Sequence, residues 1–416
     1  MNSEFDLIIV GGGMVGTALA CALGNSPYRV ALIEAGSVPE APHQPVSEVQ
    51  DVDIRVSALN IASQAFLEHI GAWSLMAPQR LQPYQQMKVW DGEGTGSIQF
   101  DADEMLEPCL GHIVENRVTT AALFQRVQQF PNITLYSAQS MTGMCRVPGS
   151  GAEQWQLNLN SGEQLRADLV VAADGALSQV RTLVGFPVRE WAYGHHALVC
   201  TVAVSAGHQN TCWQRFMPSG PLAFLPVPNA GMCSIVWSCP EEMAEELLAL
   251  PEDVFCQRLA AAIEHQLGEV TAVGPRSAIA LRQRHATVYQ QDSVVLVGDA
   301  AHTIHPLAGQ GVNLGLMDAE CLARTLLDNA NKGLAANNPL ALRRYARERM
   351  PQNLSMMAGM EGFKRLFASD ALPLRWLRNA GMQRVGAMGF VKQHIMQEAM
   401  GLKRAGTLRL AGLKKP

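Results

Sequence analysis

The densest group of potentially reactive residues lies at positions 298–315, with the sequence GDAAHTIHPLAGQGVNLG. Asp299, His302 and His305 could in principle bind a metal or serve a hydrolase, while the glycines could shape a loop against a flat ligand. A catalytic metal needs a third protein ligand, and none follows at suitable spacing. A hydrolase needs a nucleophile motif such as GxSxG, which the chain lacks. The pattern therefore favours a ligand-facing loop, and we predict no metal site.

A second group of residues has the spacing of a nucleotide-binding turn. Residues 7–10 predict a buried strand, and Gly11, Gly13 and Gly16 follow it in the pattern GxGxxG at the start of a predicted helix. These glycines permit a tight turn, close approach of a pyrophosphate and close helix–strand packing, and the helix N-terminus attracts phosphate. Glu34 ends the next predicted strand, where an acid can bind a ribose hydroxyl. The unit predicts a dinucleotide site and does not separate NAD from FAD.

Other predicted strands position the remaining candidates. Residues 165–173 form an apolar run before Asp174 and Gly175, and residues 294–297 form another before Gly298 and Asp299. From 197 to 238, short apolar runs alternate with turns rich in Gly, Pro, Asn and Ser. That spacing predicts a largely antiparallel sheet.

The composition excludes several functional classes. With 48% hydrophobic residues and a net charge of −5, the 416-residue chain can bury a large core and shows no overall basic charge for nucleic acid. Its nine cysteines stand singly, with no CxxC pair, which indicates a reducing compartment. The uncharged window 7–24 follows acidic residues and contains the glycine pattern, so we predict no export signal, no transmembrane helix and a cytoplasmic location.

Taken in order, three motifs resemble those of the class A flavin monooxygenases, which are flavoprotein aromatic hydroxylases. The motifs are the glycine fingerprint, Asp174-Gly175 and the 298–313 stretch. The resemblance implies an α/β fold with a Rossmann-like, p-hydroxybenzoate-hydroxylase-like FAD-binding domain, an inserted mainly antiparallel substrate domain and a C-terminal helical region. It also implies FAD as the cofactor. Because no second dinucleotide fingerprint is present, NAD(P)H is expected to bind only transiently.

The same resemblance assigns site residues. It places Asp299 at the flavin ribityl chain, the turn 309–313 against the flavin ring, and Arg55 toward the cofactor. The full set of predicted FAD-binding residues is Gly11, Gly13, Gly16, Glu34, Arg55, Asn116, Arg117, Asp174, Gly175, Gly298, Asp299, Gly309, Gly311, Val312 and Asn313.

The catalytic and substrate-pocket residues are predicted with less support from the motifs. The resemblance places Pro306 beside the reacting ring, and His305 and His196 are the candidates for proton transfer. For the substrate pocket, the apolar face of the predicted sheet offers Phe216, Phe224 and Leu225.

Several stretches resemble more closely the ubiquinone-biosynthesis hydroxylases, which act on polyprenylated phenols. These stretches are residues 53–60, 111–116, 299–315 and 397–402. Residues 195–199 and 234–238 most resemble the bacterial 2-octaprenylphenol hydroxylases, which oxidise ring carbon 5. The implied reaction uses NAD(P)H and O₂ and proceeds through a flavin C4a-hydroperoxide. A flavin dehydrogenase or reductase acting on an isoprenoid, and a non-catalytic FAD-binding subunit of a biosynthetic complex, remain alternatives.

The predicted domains interleave along the chain. We assign 1–80, 100–190 and 275–335 to the FAD-binding domain, 81–99 and 191–274 to the substrate domain, and 336–416 to the C-terminal helical region.

The last 56 residues differ in charge from the rest of the chain. Residues 361–416 carry eleven Lys or Arg against three acids, interleaved with apolar residues. This charge fits either a solvated helical subdomain or a surface that docks on the inner membrane or on a lipid-carrying complex.

Overall fold

The computed structural model describes residues 2–149, 153–304, 310–368, 379, 381, 384 and 388–412. Within these ranges the strands are β1 (Asn2–Val10), β2 (Val30–Glu34), β3 (Val56–Asn60), β4 (Leu81–Tyr84), β5 (Gln86–Asp91), β6 (Ser97–Asp101), β7 (Gly111–Glu115), β8 (Ile133–Ser137), β9 (Met141–Pro148), β10 (Glu153–Leu159), β11 (Gln164–Ala172), β12 (Val188–Val204), β13 (Thr211–Met217), β14 (Gly220–Pro226), β15 (Met232–Pro240), β16 (Val270–Val273), β17 (Ser277–Ala286), β18 (Gln290–Gln291), β19 (Val294–Leu296) and β20 (His302–Thr303). The helices are α1 (Met14–Ala22), α2 (Ile61–His69), α3 (Asn116–Val127), α4 (Gln179–Val184), α5 (Glu241–Ala249), α6 (Glu252–Ala262), α7 (Gln310–Asn331), α8 (Pro339–Ala368), α9 (Gly389–Met400) and α10 (Leu402–Gly412).

The first sheet contains the strand that precedes the glycine fingerprint. Its strand order is β18-β19-β11-β1-β2-β8, and β10 and β9 extend it beside β11. β1 pairs in parallel with β2 and with β11, and β11 pairs in parallel with β19. Leu7, Ile8 and Ile9 are fully buried, as expected of a central parallel strand covered on both faces. The carboxyl ends of β1, β11 and β19 therefore lie side by side, and each leads into one of the three motifs.

The second sheet has the order β20-β17-β12-β15-β14-β13-β5-β6, with β16 beside β12. Apart from the parallel pair β13–β5, the described strands in it pair antiparallel. One face forms a separate core with α5 and α6, in which Leu198, Phe224 and Trp237 are buried. Because side chains alternate along a strand, Val199 and Val236 point from the opposite face, toward the first sheet.

A small third sheet, in the order β3-β7-β4, lies where these two sheets meet. At the end of its central strand, β7, the buried carboxylate of Glu115 accepts hydrogen bonds from Arg80 Nε at 2.7 Å, Arg117 Nε at 2.9 Å and the Asp53 N–H at 2.8 Å. Arg80 is equally buried, and it also donates to the Asp51 carbonyl. This cluster fixes the segment 51–57, which leads into the site described below.

The C-terminal helices pack on the body of the protein. α8 packs on α7, and α10 packs on α2. Arg404 forms an ion pair with Glu320 of α7, and Lys392 of α9 forms one with Glu104. Part of the basic charge of 361–416 is therefore neutralised within the molecule.

The predicted fold is confirmed, including the four strands expected between 197 and 238 and the helical C-terminal region. Several strands cross the predicted boundaries, among them β17 and β4. β17, at 277–286, belongs to the second sheet, whereas the boundary at 275 assigned it to the FAD-binding segments. β4, at 81–84, belongs to the third sheet. β17 carries Arg282, Gln283, Arg284 and His285 in its second half, so its sequence lacks the long apolar run that marks the other strands.

Candidate active site

A cavity of about 490 Å³ lies where the carboxyl ends of the first sheet face the second sheet. This volume is within the usual range for small-molecule sites. The first sheet and its helices contribute Gly13, Met14, Val15, Ala173, Gly175, Ala176, Val297, Asp299, Gly311 and Val312. The second sheet and the segments beside it contribute Ile54, Arg55, Val56, Ser57, Asn116, Ala197, Val199, Val236, Ile279, Ala280, Leu281, Arg282, Arg284, Thr303 and Ile304.

The space around the missing side chain differs among the three fingerprint glycines. Gly11 has φ +106°, and a Cβ there would lie 2.3 Å from the Ala173 carbonyl oxygen. A Cβ on Gly16 would lie 2.0 Å from the carbonyl oxygen of Gly11. A Cβ on Gly13 would meet no protein atom within 4 Å, because this residue faces the cavity. The chain folds tightly around Gly11 and Gly16 and leaves open space at Gly13.

The N-terminus of α1 opens toward this space. Its N-cap is Gly13, which has no side chain to cap the helix. The N–H groups of the first turn therefore remain available to an anion. Glu34 lies beside the same turn and accepts the Gly12 N–H at 2.6 Å and the Gly36 N–H at 2.7 Å. A carboxylate accepts about four hydrogen bonds, so it retains capacity for ribose hydroxyls.

The second motif is braced against the third by Arg181. Its guanidinium donates to the carbonyl oxygens of Ala300 and Ala176, each at 2.8 Å. Asp174 accepts the Val180 N–H at 3.1 Å through Oδ2, and its other oxygen is buried without a hydrogen-bond partner in the described structure. A buried carboxylate oxygen in that state needs a donor, which a bound ligand would supply.

The third motif is held from behind by a buried carboxylate in α7. Asp318 Oδ2 accepts the Gly298 N–H at 3.1 Å and lies 2.5 Å from His302 Nε2, while Oδ1 accepts Arg349 Nε at 2.7 Å. Burial alone would raise the pKa of Asp318, but His302 and Arg349 together hold it well below its ordinary value. Asp318 is therefore an anion that ties the turn after β19 to α7 and α8.

Asp299 projects from this turn to the cavity surface. Its side chain is exposed to the cavity, yet protein surrounds most of the carboxyl group. That partial desolvation raises its pKa above the ordinary value, against the opposing effects of His302 and Arg55.

Comparison with known proteins identifies what this arrangement binds. Residues 4–358 match the family described as FAD binding domain. The chain belongs to this family of FAD-dependent monooxygenases. It is similar to the 3-demethoxyubiquinol 3-hydroxylase of Escherichia coli (37% identity, covering 96% of this chain and 100% of the relative). It is also similar to the ubiquinone hydroxylase of Rhodospirillum rubrum (37%, 96% and 90%) and to the mitochondrial ubiquinone biosynthesis monooxygenase of Xenopus tropicalis (34%, 94% and 92%).

Solved structures of other proteins share the fold of this chain. The complex of PqsL from P. aeruginosa with 2-aminobenzoylacetate has a TM-score of 0.74 at 24% identity, covering 92% of this chain and 100% of that one. p-Nitrophenol 4-monooxygenase from Pseudomonas putida has a TM-score of 0.75 at 18% identity, covering 97% and 99%.

The cavity residues of the monooxygenase fit FAD. The open space at Gly13, the free N–H groups of α1 and the buried unpartnered oxygen of Asp174 are features that a dinucleotide would satisfy. Of the predicted FAD-binding residues, the cavity brings together Gly13, Arg55, Asn116, Gly175, Asp299, Gly311 and Val312.

Two predicted FAD-binding residues have side chains that serve other contacts. Asn313 is buried, accepts the Asn60 N–H at 3.0 Å and the Ser63 hydroxyl at 2.7 Å, and donates to the Ala58 carbonyl at 2.8 Å. Its side chain therefore holds α7 to β3 and α2, and it does not line the cavity. Arg117 likewise points to Glu115 and away from the cavity lining.

The predicted substrate-pocket residues are not in the cavity lining. Phe224 is fully buried in the core beneath α5 and α6, on the opposite face of the second sheet. Phe216 stacks on Phe367 of α8, with ring centroids 4.1 Å apart. Leu225 packs near Ile113 of the third sheet. The aromatic character of the strands was visible in the sequence, but the face that each side chain occupies depends on pairing.

Of the predicted catalytic residues His196, His305 and Pro306, only His196 lies within the described part of the chain. His196 Nε2 lies 3.9 Å from Glu241 at the start of α5, and the residue does not line the cavity, so the structure does not support it as a proton-transfer residue. His305, Pro306 and Gly309 lie outside the described residues.

Sequence reasoning missed the apolar wall of the cavity and the cluster around Asp318. Ala197, Val199, Val236 and Leu281 form much of that wall, and their only signal is strand alternation, whose phase does not show which face meets the cofactor. The spacing from Gly298 to Asp318 gave no signal, because the contact needs the turn to fold back on α7. Among the described residues there is no cluster with metal-ligating composition.

We expect Gly13→Val and Gly16→Ala to separate cofactor binding from folding. Gly13→Val should leave the thermal stability of the cofactor-free protein unchanged and weaken FAD binding about a hundredfold or more, because its side chain would fill the pyrophosphate space. Gly16→Ala should lower the stability of the cofactor-free protein, because its Cβ would collide with backbone. FAD fluorescence titration and thermal unfolding measure the two effects. Equal loss of stability in both variants would contradict this division.

We expect stability to fall in mild acid because of His285. This residue is 5% exposed, lies 3.2 Å from the Tyr289 hydroxyl, and burial is the main cause that lowers its pKa to about 4. An unfolded histidine has a pKa of about 6.5, so the folded state binds fewer protons between these values. Stability is therefore complete above about pH 6.5 and declines as the pH falls toward 4, by up to about 3 kcal/mol from this residue.

Urea unfolding of the wild type and of His285→Gln at several pH values tests this. The variant should show a shallower decline, with the remainder assigned in part to His112, whose pKa burial also lowers to about 4. His265→Gln, a surface substitution, is the control and should keep the wild-type slope. An unchanged slope in His285→Gln would show that His285 is not the cause.

Proposed function

We propose that this enzyme hydroxylates the aromatic ring of a polyprenylated phenol in ubiquinone biosynthesis, and that ring carbon 5 is the position oxidised. Three relatives that cover nearly the whole chain are named for ubiquinone hydroxylation or biosynthesis. O₂ and NAD(P)H are the expected co-substrates, and the latter is typical of the family.

The observation that carries the proposal is the composition of the cavity. The residues that fit FAD form one wall, and an almost wholly apolar surface of Ala197, Val199, Val236, Ile279 and Leu281 forms the other. Such a surface accommodates a greasy ring and the start of a prenyl chain, since each buried CH₂ contributes about 0.8 kcal/mol. These five side chains are uncharged, and the charged residues in the described lining are Arg55, Arg282, Arg284 and Asp299.

The chain's own groups explain how the cofactor would be held and tuned. The N-terminus of α1 binds phosphates, and Asp299 is placed to accept hydrogen bonds from hydroxyl groups. α7 begins at the cavity, where Gly311 and Val312 line it, so its positive end stabilises negative charge there. When bound and reduced, FAD supplies the chemistry that activates O₂ and transfers one oxygen atom to an electron-rich ring.

The apolar wall has a second effect, which is to exclude water. A dry surface would keep water away from the reacting ring and favours a neutral, weakly solvated substrate. Among the described residues no histidine lines the cavity, and Asp299 is the acidic side chain that does. Proton transfer from the phenol is therefore not assigned to any of the described histidines.

The preference for carbon 5 comes from two segments that resemble 2-octaprenylphenol hydroxylases. Residues 195–199 and 234–238 pair with each other in the second sheet, with Ala197 opposite Ser238 and Val199 opposite Val236. Ala197, Val199 and Val236 all line the cavity. The resemblance thus falls on the surface that would orient the ring. The E. coli relative is named for position 3 of a demethoxyubiquinol, so the position needs a direct test.

We expect deletion of the gene in its host to cause accumulation of a prenylated phenol that lacks the carbon-5 oxygen. Mass spectrometry of the quinone precursors measures this, and expression of the wild-type chain should restore the quinone. A chain carrying Val199→Trp should bind FAD normally yet fail to restore it, because the indole would fill the apolar side of the cavity.

Other outcomes select other functions. A precursor that lacks a different ring oxygen would move the reaction to that position. Formation of product without O₂ would indicate a flavin dehydrogenase or reductase. An unchanged quinone pool, with no redundant hydroxylase in the host, would contradict the pathway assignment.

We also propose that the enzyme collects its apolar substrate by docking peripherally on the anionic inner membrane from the cytoplasm, through residues 361–416. No helix within the described ranges is long and apolar enough to cross a bilayer. α9 and the residue before it leave Phe390 72% exposed, with Met388 and Ile395 also exposed. Residues 361–416 carry a net charge of +8, which favours anionic lipid.

We expect the enzyme to sediment with vesicles that contain phosphatidylglycerol and to do so less with pure phosphatidylcholine. Phe390→Gln should weaken binding about tenfold, because it removes an apolar side chain that would enter the lipid. Leu340→Gln, at an equally exposed leucine on α8, is the matched control and should bind as the wild type does. If the wild type stays in the supernatant with both lipids, delivery by a lipid-carrying complex replaces this proposal.

A further inference from the structure

Two arginines in the lining of the cavity, Arg282 and Arg284, are not among the predicted FAD-binding residues. Arg55, Arg282 and Arg284 line the cavity, while the acidic side chain in its described lining is Asp299. Arg55 forms no ion pair in the part of the chain that the structure describes. Guanidinium groups gathered at the mouth of a cavity attract an anion.

Two of these arginines share a single carboxylate oxygen. Glu190 Oε1 lies 2.9 Å from Arg284 Nη2 and 3.5 Å from Arg282 Nη1. Arg284 is 9% exposed and opposite Glu190 in the pairing of β12 with β17, while Arg282 is 57% exposed. The nearer arginine is therefore paired and the farther one has only a long contact, which leaves a net positive charge at the surface.

The surroundings add to this charge. Arg181 lies close enough for Arg284 to contribute to the lowering of its pKa, after burial as the main cause. The guanidinium of Arg181 contacts carbonyl oxygens, and the acids that oppose it, Asp174 and Glu190, act from a distance. The exposed Arg282 makes one ion pair among the described residues, the 3.5 Å contact with the Glu190 oxygen that it shares with Arg284.

The family's reaction calls for a second anion site. NAD(P)H carries its own diphosphate, and the N-terminus of α1, which follows the glycine fingerprint, is assigned to the diphosphate of FAD. The transient reductant therefore needs groups other than the N-terminus of α1, and arginine side chains can supply them.

We propose that Arg282, supported by Arg284, binds the phosphate groups of NAD(P)H at the rim of the cavity, and that Glu190 limits how tightly it does so. Arginine is suited to this because its planar fork recognises phosphate oxygens in pairs. The Glu190 carboxylate keeps Arg284 in place and reduces the local positive charge. The nucleotide is therefore held weakly and can leave once it has reduced the flavin. The inference rests on the family's use of NAD(P)H and is independent of which phenol is hydroxylated.

The test measures binding and does not depend on turnover. ADP-ribose, which has the diphosphate and lacks the nicotinamide, is titrated calorimetrically into the FAD-loaded wild type and variants. Arg282→Gln should weaken ADP-ribose binding about tenfold, the loss of one charge-assisted contact. Glu190→Gln should strengthen it about threefold, because the arginines lose the carboxylate that competes with phosphate. FAD content, read from absorbance, should be the same in both variants.

The opposite signs distinguish binding from a structural role. If the three side chains merely stabilise β12 and β17, both substitutions should weaken binding or lower stability together. Arg146→Gln, which removes an arginine from surface ion pairs on β9, is the charge-matched control and should change nothing. Wild-type binding by Arg282→Gln would overturn the proposal while leaving the hydroxylase assignment intact. So would a wild type that ignores ADP-ribose and is reduced only by an electron-transfer protein.

Discussion

The structure depends on neutralising one buried negative charge, that of Asp318. A carboxylate in the protein interior is several kcal/mol less stable than one in water unless charged or polar groups surround it. Here the surrounding groups come from two distant parts of the chain: Gly298 and His302 from the turn after β19, and Arg349 from α8. Because no one of them can move without exposing the charge, the turn that presents Asp299 is fixed to the helices behind it.

The same logic recurs at the third sheet, where Glu115 gathers Arg80 and Arg117. Both clusters lie behind the cavity and neither lines it. Buried ion pairs add little net stability compared with apolar packing, but they specify geometry strongly because a misplaced partner is costly. The protein thus uses charge to fix the backbone that carries the ligand-binding groups, and apolar side chains to shape the opposite wall.

Whether a feature of the fold or the site could be predicted depends on how far apart in the sequence the interacting residues lie. The turn of Gly11, Gly13 and Gly16 could be predicted because the spacing of the three glycines is itself a local pattern, although the atom that crowds Gly11 is the distant Ala173 carbonyl oxygen. The side chain of Asn313 was assigned to the cofactor, but it contacts Asn60 and Ser63, some 250 positions earlier, and no local pattern reveals such a pairing.

The substrate side was less predictable for a related reason. Alternation in a strand separates two faces and does not say which of them meets the ligand. Strand alternation places Phe224 on the face away from the cavity, where it is buried in the core. The small side chains of Ala197 and Val199, on the opposite face, form part of the cavity wall. Large aromatic residues filled the core, and small ones left the space that a ligand needs.

The interleaving of the two sheets bears on how the chain is made. β1 ends at residue 10, but its partner β11 begins only at residue 164. β19, which pairs with β11, ends at residue 296, after nearly all of the second sheet has been synthesised. On the ribosome, an apolar parallel strand therefore waits with an unpaired edge for most of translation. Such edges are prone to associate with other chains. We expect the long interval between β1 and β19 to promote association of nascent chains unless this edge is shielded during synthesis.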